Sequence, residues 1–168
     1  LINIEQDDKV KAFICTQDLK DEDYVNSHYV IMATKMGQVK KTSLEQYSRP
    51  RSNGINAITI KDDDELLEAK LTNGNSQIML AVKSGKAIRF EENKTRPMGR
   101  NASGVRGIRL RDNKDEVVGM ISVNDMDANI LVVSENGFGK RSSLEDYRLT
   151  NRGGCLLYTS PSPRDLST

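Results

Sequence analysis

An apolar run, a tight Gly turn and a basic run follow one another three times in this chain, and that repetition restricts the fold more than any other feature. The first copy runs from Tyr29 to Lys41 and turns at Gly37; the second runs from Gln77 to Phe90 and turns at Gly85; the third runs from Asn129 to Arg141 and turns at Gly137. Each begins with apolar, largely β-branched residues, the composition of a buried strand. Each then has polar residues and a Gly where a hairpin needs positive φ, which Gly takes without strain. The turn glycines are 48 and then 52 residues apart (37 to 85, 85 to 137). A period near fifty residues built on strands means an array of propeller-like blades. The expectation is an all-β fold of four-stranded blades of about 50 residues, here an incomplete ring of about three.

The expected domain is residues 1–154, with repeats of roughly 1–60, 61–110 and 111–154. Every repeat opens with acidic turn residues and a strand: Val10 to Thr16 after Asp7-Asp8, then Asp64 to Thr72, then Asp115 to Val123. Gln17 to Ser27 is a charged insertion without an equally long counterpart, and such length differences belong in loops. Behind the basic strand, Thr42 to Tyr47 is echoed by Ser142 to Tyr147. This reads as a single turn with Leu44, Leu144, Tyr47 and Tyr147 facing inward. A third element rich in Arg, Gly, Asn and Ser closes each repeat: Ser48 to Ile58, Arg96 to Ile108, and Arg148 to Gly154. The sequence starts at Leu1, as a piece of a longer protein would. Residues 155–168 have no counterpart in the repeats, and Cys155 to Asp165 matches the in-frame translation of a sequencing adapter. They are read as an artefactual or disordered tail and left out of the fold.

The formal net charge of +1 hides a strong segregation. Residues 35–60, 83–110 and 135–154 hold 17 Lys and Arg against 6 Asp and Glu, a net of +11. Residues 1–34, 61–82 and 111–134 hold 7 basic against 17 acidic residues, a net of −10. Charge separated in register with a structural repeat predicts a positive belt on one part of the surface. Arginines in the Gly-rich closing elements add flat, forked donors that match phosphate geometry, and the neighbouring glycines let a partner come close to the backbone.

Signals for other chemistry fail on their spacing. His28, the single histidine, has no nucleophile or metal-ligand partner beside it and reads as edge packing. Ser84-Gly-Lys-Ala lacks the upstream Gly and downstream Ser or Thr of a phosphate-binding loop. Asp62-Asp63-Asp64 lacks the Gly and Glu positions of a calcium loop. Cys15 and Cys155 form no disulfide framework or metal spacing; Cys15 sits in an apolar run and reads as a small buried hydrophobe, which fits a reducing cytoplasm. No apolar run approaches the roughly 18 residues of a membrane span. Aromatic residues are 5% of the chain with no Trp, so a stacking platform for single strands is not expected, and a nucleic-acid partner would be a duplex held by its phosphates.

Three strings carry a resemblance to a known family: Val30 to Glu45 (VIMATKMGQVKKTSLE), Arg96 to Ile108 (RPMGRNASGVRGI) and Gly139 to Gly154 (GKRSSLEDYRLTNRGG). They resemble the C-terminal domain of bacterial DNA gyrase A subunits over essentially all of residues 1–154. The resemblance implies a β-pinwheel, a closed propeller-like array of about six four-stranded blades. Duplex DNA would wrap around its basic rim and support ATP-dependent negative supercoiling by the holoenzyme. It also implies phosphate contacts by Lys35, Lys40, Lys41, Lys83, Lys86, Arg89, Lys140 and Arg141 on the hairpins. Arg49, Arg51, Arg96, Arg100, Arg106, Arg148 and Arg152 would do the same from the closing loops. It implies no catalytic site, metal or cofactor in this part of the chain, ATP and Mg2+ being needs of the holoenzyme. The implied partners are duplex DNA, a second gyrase A protomer and the gyrase B protein, in the bacterial cytoplasm. The family's Gln-Arg-Arg-Gly-Gly-Lys-Gly box has no full copy here; Asn151-Arg-Gly-Gly154 is a degenerate echo of it. Topoisomerase IV A subunits carry similar blades and are the nearest alternative. A protein-interaction propeller, and an enzyme using these repeats as scaffold, are the rival readings from other classes.

Overall fold

The computed structural model describes residues 7–111, 114–154 and 158–159. Three antiparallel hairpins dominate it, one for each repeat of the sequence pattern. They are β1 (Tyr29–Thr34) with β2 (Gln38–Ser43), β4 (Gln77–Val82) with β5 (Lys86–Glu91), and β8 (Asn129–Val133) with β9 (Gly139–Ser143). The turn glycines have φ of 82°, 79° and 82° at Gly37, Gly85 and Gly137, the conformation the sequence pattern demands.

The sheets do not follow the sequence repeats. β3 (Leu66–Thr72), from the second repeat, pairs with β1, and β6 (Val105–Arg106) pairs with β2, giving the order β3-β1-β2-β6. In the second sheet β7 (Val117–Val123) of the third repeat likewise pairs antiparallel with β4, but β10 (Leu149–Thr150) pairs parallel with β5 at Arg89 and Phe90, whereas β6 is antiparallel to β2; the order is β10-β5-β4-β7. Each of these first two hairpins is therefore completed by strands of the repeat that follows it. The third hairpin stays a two-stranded sheet among the described residues. β11 (Tyr158–Thr159) pairs with Ala87 and Lys86 of β5. The rest of the expected tail, 155–157 and 160–168, lies outside the described residues.

That exchange explains a strand expected from sequence and not formed. Val10 to Thr16 carries the strand pattern of β3 and β7, but it forms no strand in the structure. β3 and β7 pair with the hairpin before them, and among the described residues no hairpin stands before Val10. Ala12 and Ile14 still pack inward against Val25, Val30, Met32, Leu44 and Ala69. Phe13 and Cys15 point outward and are exposed, so Cys15 is not the buried hydrophobe expected of it. The charged insertion is not wholly a loop either: it forms α1 (Glu22–Ser27), N-capped by Asp21, whose carboxylate accepts from the backbone N–H of Asp23 and Tyr24. Val25 anchors this helix in the core, and His28 ends it, stacked on Tyr24 with 4.2 Å between ring centroids.

The core lies between the first two sheets. Ile31, Ala33, Val39, Ile78, Leu80, Ile88, Phe90, Ile108, Val117 and Met120 are all buried there. Gly107 is packed so closely that a Cβ would stand 2.3 Å from Val39 Cγ2 and 2.9 Å from Leu80 Cδ1, so no other residue fits. A 3-10 turn follows each hairpin, at Leu44–Tyr47, Glu92–Lys94 and Leu144–Asp146, with Leu44 and Leu144 buried as expected. The third hairpin contrasts with this core: Leu131, Val133 and Phe138 are each more than 60% exposed, at 68%, 62% and 62%.

Candidate nucleic-acid interface

The fifteen basic residues expected at the rim divide into two groups once side chains are placed. Four are engaged by other parts of the protein, two of them, Lys40 and Lys41, in full burial. Lys41 is 4% exposed, and its ammonium lies 2.8 Å from Glu92 Oε1 and 4.1 Å from the ring centroid of Tyr29. Glu92 is wholly buried and fully used: Oε1 also accepts from Thr72 Oγ1 at 2.7 Å, and Oε2 from the Ser76 N–H at 3.2 Å. Lys40 is also buried, donating to Ala57 O at 2.6 Å and to Arg100 O. Burial, then the nearby Arg100 charge, lowers its pKa from 10.5 to about 8.

Arg89 occupies the register position of Lys41 one repeat later. It donates from Nε to Gln77 Oε1 at 2.6 Å and from one terminal nitrogen to Leu144 O at 2.8 Å and Tyr147 O at 3.0 Å. Burial pushes its pKa down. Arg152 donates to Lys94 O at 3.1 Å and Arg106 O at 2.8 Å. In each case the cation joins one repeat to the next. Lys40 and Lys41 are therefore buried in joints between repeats, not exposed on a rim as the sequence reading placed them. Sequence alone could not separate them from rim lysines, because Ala57 lies 17 and Arg100 60 residues from Lys40, and Glu92 belongs to the repeat after Lys41. Glu92 was missed, although a signal existed: it stands where the other repeats have Leu44 and Leu144.

The other expected residues remain available at the surface. Arg49, Arg51, Arg96, Arg106, Arg141 and Arg148 are exposed and, among the described residues, make no side-chain ion pair or hydrogen bond. Lys86, Arg100 and Lys140 are half-buried. Lys35 and Lys83 flank two hairpin turns and pair with Glu65 at 3.4 Å and Glu116 at 3.5 Å, exposed contacts that a stronger anion could replace. Lys94 and Arg109 are further exposed cations that sequence reasoning did not single out, because neither recurs at a matching place in the other repeats.

The closing loops that carry most of the arginines are joined edge to edge. Thr59 N–H donates to Ala102 O at 3.4 Å and its hydroxyl to Asn101 O at 2.7 Å, linking the first loop to the second. Gly153 N–H donates to Gly107 O at 2.7 Å and Arg109 N–H to Gly154 O at 3.4 Å, linking the second to the third. Gly104, with φ of 92°, lets the second loop lie against β2, where a Cβ would stand 2.7 Å from Val39 O. The third loop puts its positive φ at Gly153. The result is one backbone-linked ridge carrying Arg49, Arg51, Arg96, Arg106 and Arg148. Among the described residues no group of His, Cys, Asp and Glu could hold a metal ion, and no helix is long and apolar enough to cross a membrane.

Strand exchange between fifty-residue hairpin repeats, with a row of arginines along the closing loops, defines a segment of a propeller-like array. The family described as "DNA gyrase C-terminal domain, beta-propeller" matches residues 28–73, 77–124 and 128–154, and the chain belongs to that family. The first two matched units each start at a hairpin and end with the strand of the next repeat that completes it. Among curated proteins, the DNA gyrase A protein of Staphylococcus epidermidis is 44% identical over 160 residues, covering 95% of this chain and 17% of the relative. The DNA gyrase A protein of Staphylococcus aureus is also 44% identical, over 161 residues, and 18% of it is covered. The chain thus spans less than a fifth of the length of these relatives. A solved gyrase A C-terminal domain superposes with a TM-score of 0.80 at 25% identity, covering 95% of this chain and 50% of that one. A topoisomerase IV C-terminal domain superposes with a TM-score of 0.74 at 29% identity, covering 78% and 41%.

Proposed function

We propose that this chain binds and bends duplex DNA along the closing-loop ridge, as a non-catalytic wrapping portion of a type II topoisomerase of the gyrase A kind. The observation that carries the reading is the ridge itself: unpaired, exposed arginines from three successive repeats on loops joined by backbone hydrogen bonds. Bending a short duplex costs about 1–6 kcal/mol, so contacts from several repeats must act together. A rigid succession of loops supplies them without a separate ordering cost at each. Arg49, Arg51, Arg96, Arg106 and Arg148 form the core of the proposed track, with Lys83, Lys86, Lys140 and Arg141 reaching it from the hairpins. The 44% identity to gyrase A proteins favours gyrase over topoisomerase IV. On this reading the parent enzyme works in the bacterial cytoplasm with the gyrase B protein and a second gyrase A protomer, and uses ATP and Mg2+ to drive supercoiling.

The test is affinity for a duplex of about 40 base pairs across a salt series, where each neutralised phosphate adds about 0.9 to the slope of log affinity against log salt. Changing Arg49, Arg51, Arg96, Arg106 and Arg148 together to Glu is expected to remove about 4 units of slope and nearly all binding. Equal binding by a folded variant would reject the ridge as the track. It would favour the protein-interaction reading instead.

A further inference from the structure

We infer that, given the duplex track proposed above, Lys40 is a positioning residue for DNA binding: its ammonium clasps the first two closing loops together so that their arginines meet the duplex as one preformed surface. Lys40 reaches from β2 to both loops and is wholly buried. It donates to Ala57 O of the first loop at 2.6 Å and to Arg100 O of the second. The first loop carries Arg49 and Arg51, the second Arg96 and Arg106, so one ammonium ties together two parts of the ridge. Tyr47 Oη donates to the same Ala57 carbonyl at 3.1 Å, and Gln46 Oε1 accepts from the Arg100 N–H at 3.1 Å. Each of these holds one loop; Lys40 holds both. Gly104 makes the clasp possible. A Cβ there would stand 3.2 Å from Lys40 Cβ and 2.7 Å from Val39 O, so a side chain would lift the second loop off β2. A surface already held in its bound shape avoids the cost of ordering loops on binding.

Burial of this ammonium works against the fold. Lys41, the next residue, has the Glu92 carboxylate. Lys40 has two carbonyls, no carboxylate partner among the described residues, and the like charge of Arg100 beside it. A buried ammonium without a counter-charge is costly. A phosphate seated on the ridge offsets the Arg100 charge, so bound DNA favours the protonated clasp, and the protonated clasp favours bound DNA to the same degree. Of the groups packed around Lys40, Arg100 and Tyr47 carry charge or titrate. Burial raises the Tyr47 pKa above its ordinary value, so its hydroxyl stays neutral where Lys40 titrates. Met32, the register partner of Lys40 on β1, and Gly104 and Val105 against β2 carry no charge.

The experiment measures the affinity of the whole chain for a duplex of about 40 base pairs from about pH 7.5 to 9.0 at fixed salt. Stability is followed by denaturation over the same range. Lys40 titrates at about 8 in the free chain; with its proton retained in the complex, wild-type affinity should fall about eightfold across the range while stability rises. A residue that only supported the fold would move both in the same direction. Lys40→Met should bind weakly and evenly throughout, close to the wild type at the alkaline end. If that variant does not fold, the opposed trends of the wild type decide alone. Binding that the charge reversal of the ridge arginines removes, but that is flat in pH, would overturn the clasp and leave the DNA track standing. So would stability and affinity that fall together, or a fall in affinity that persists in Lys40→Met. No binding by the wild type at any pH would overturn both.

Discussion

The first and third hairpins carry nearly the same basic pair at the same register, Lys40-Lys41 and Lys140-Arg141, and their fates are opposite. In the first, both lysines are buried and satisfied; in the third, Arg141 is exposed and Lys140 half-buried. Neither local sequence nor hairpin geometry differs enough to account for this. What differs is the repeat that comes next. The 3-10 turn of the second repeat brings Glu92 to Lys41, and its closing loop brings the Arg100 carbonyl to Lys40. No such turn faces Arg141 among the described residues. A basic strand residue in this fold thus serves as a joint between repeats wherever a following repeat is present, and is left to solvent where none is.

The largest effect should come from breaking the buried joint. Glu92→Gln keeps the shape of the side chain but leaves the Lys41 ammonium buried without its counter-charge. Such a change costs about 3–5 kcal/mol. Chemical denaturation should show a loss of that order, and a loss below about 1 kcal/mol would mean that the Tyr29 ring and water suffice to hold Lys41. The next joint is built differently. Leu144 brings no carboxylate, and Arg89 instead reaches two main-chain carbonyls. Arg89→Met is therefore expected to cost about 2 kcal/mol, the range of hydrogen bonds made by a charged donor. If Arg89→Met proved the costlier change, the ranking of the two joints would be reversed.

Lys40 gives an effect that depends on pH. Its folded pKa of about 8 lies below the 10.5 of the free side chain, so between those values the unfolded chain binds more protons than the folded one. Stability should rise with pH through this window, because the ammonium that is costly to bury is lost. Lys40→Met should abolish that rise. The comparison is best made from about pH 7.5 to 9.5, since burial raises the pKa of Tyr47 and works in the opposite direction at higher pH. A wild-type curve parallel to that of Lys40→Met would show that the two carbonyl contacts offset the burial of charge.

How far the sequence could be read follows the range of the interactions involved. The hairpins, their turns at Gly37, Gly85 and Gly137, and the inward Leu44 and Leu144 depend on neighbours within a few residues, and local pattern shows them directly. The assignment of strands to sheets depends on pairing across about forty residues or more, and periodicity alone kept each opening strand with its own repeat. The same distance hid the division of the basic residues: Lys40 and Arg49 look alike until the carbonyls of Ala57 and Arg100 are placed around the first. Arg49, Arg51, Arg96, Arg106 and Arg148 stay exposed, as the pattern led one to expect, whereas Arg152 of the third closing loop is held by the carbonyls of Lys94 and Arg106 from the repeat before it. Cys15 was misjudged for the related reason that its apolar run lacks the hairpin edge that would cover it.

The smallest effect sharpens the comparison most. Arg141→Ala in the isolated chain should change stability by no more than about 0.5 kcal/mol, as surface substitutions do, although Lys41 and Arg89 at the same register are structural. Chemical denaturation separates the outcomes: a loss above about 1 kcal/mol would mean that Arg141 already holds a structural contact in the third hairpin, whereas a neutral variant leaves it free to serve the proposed DNA track.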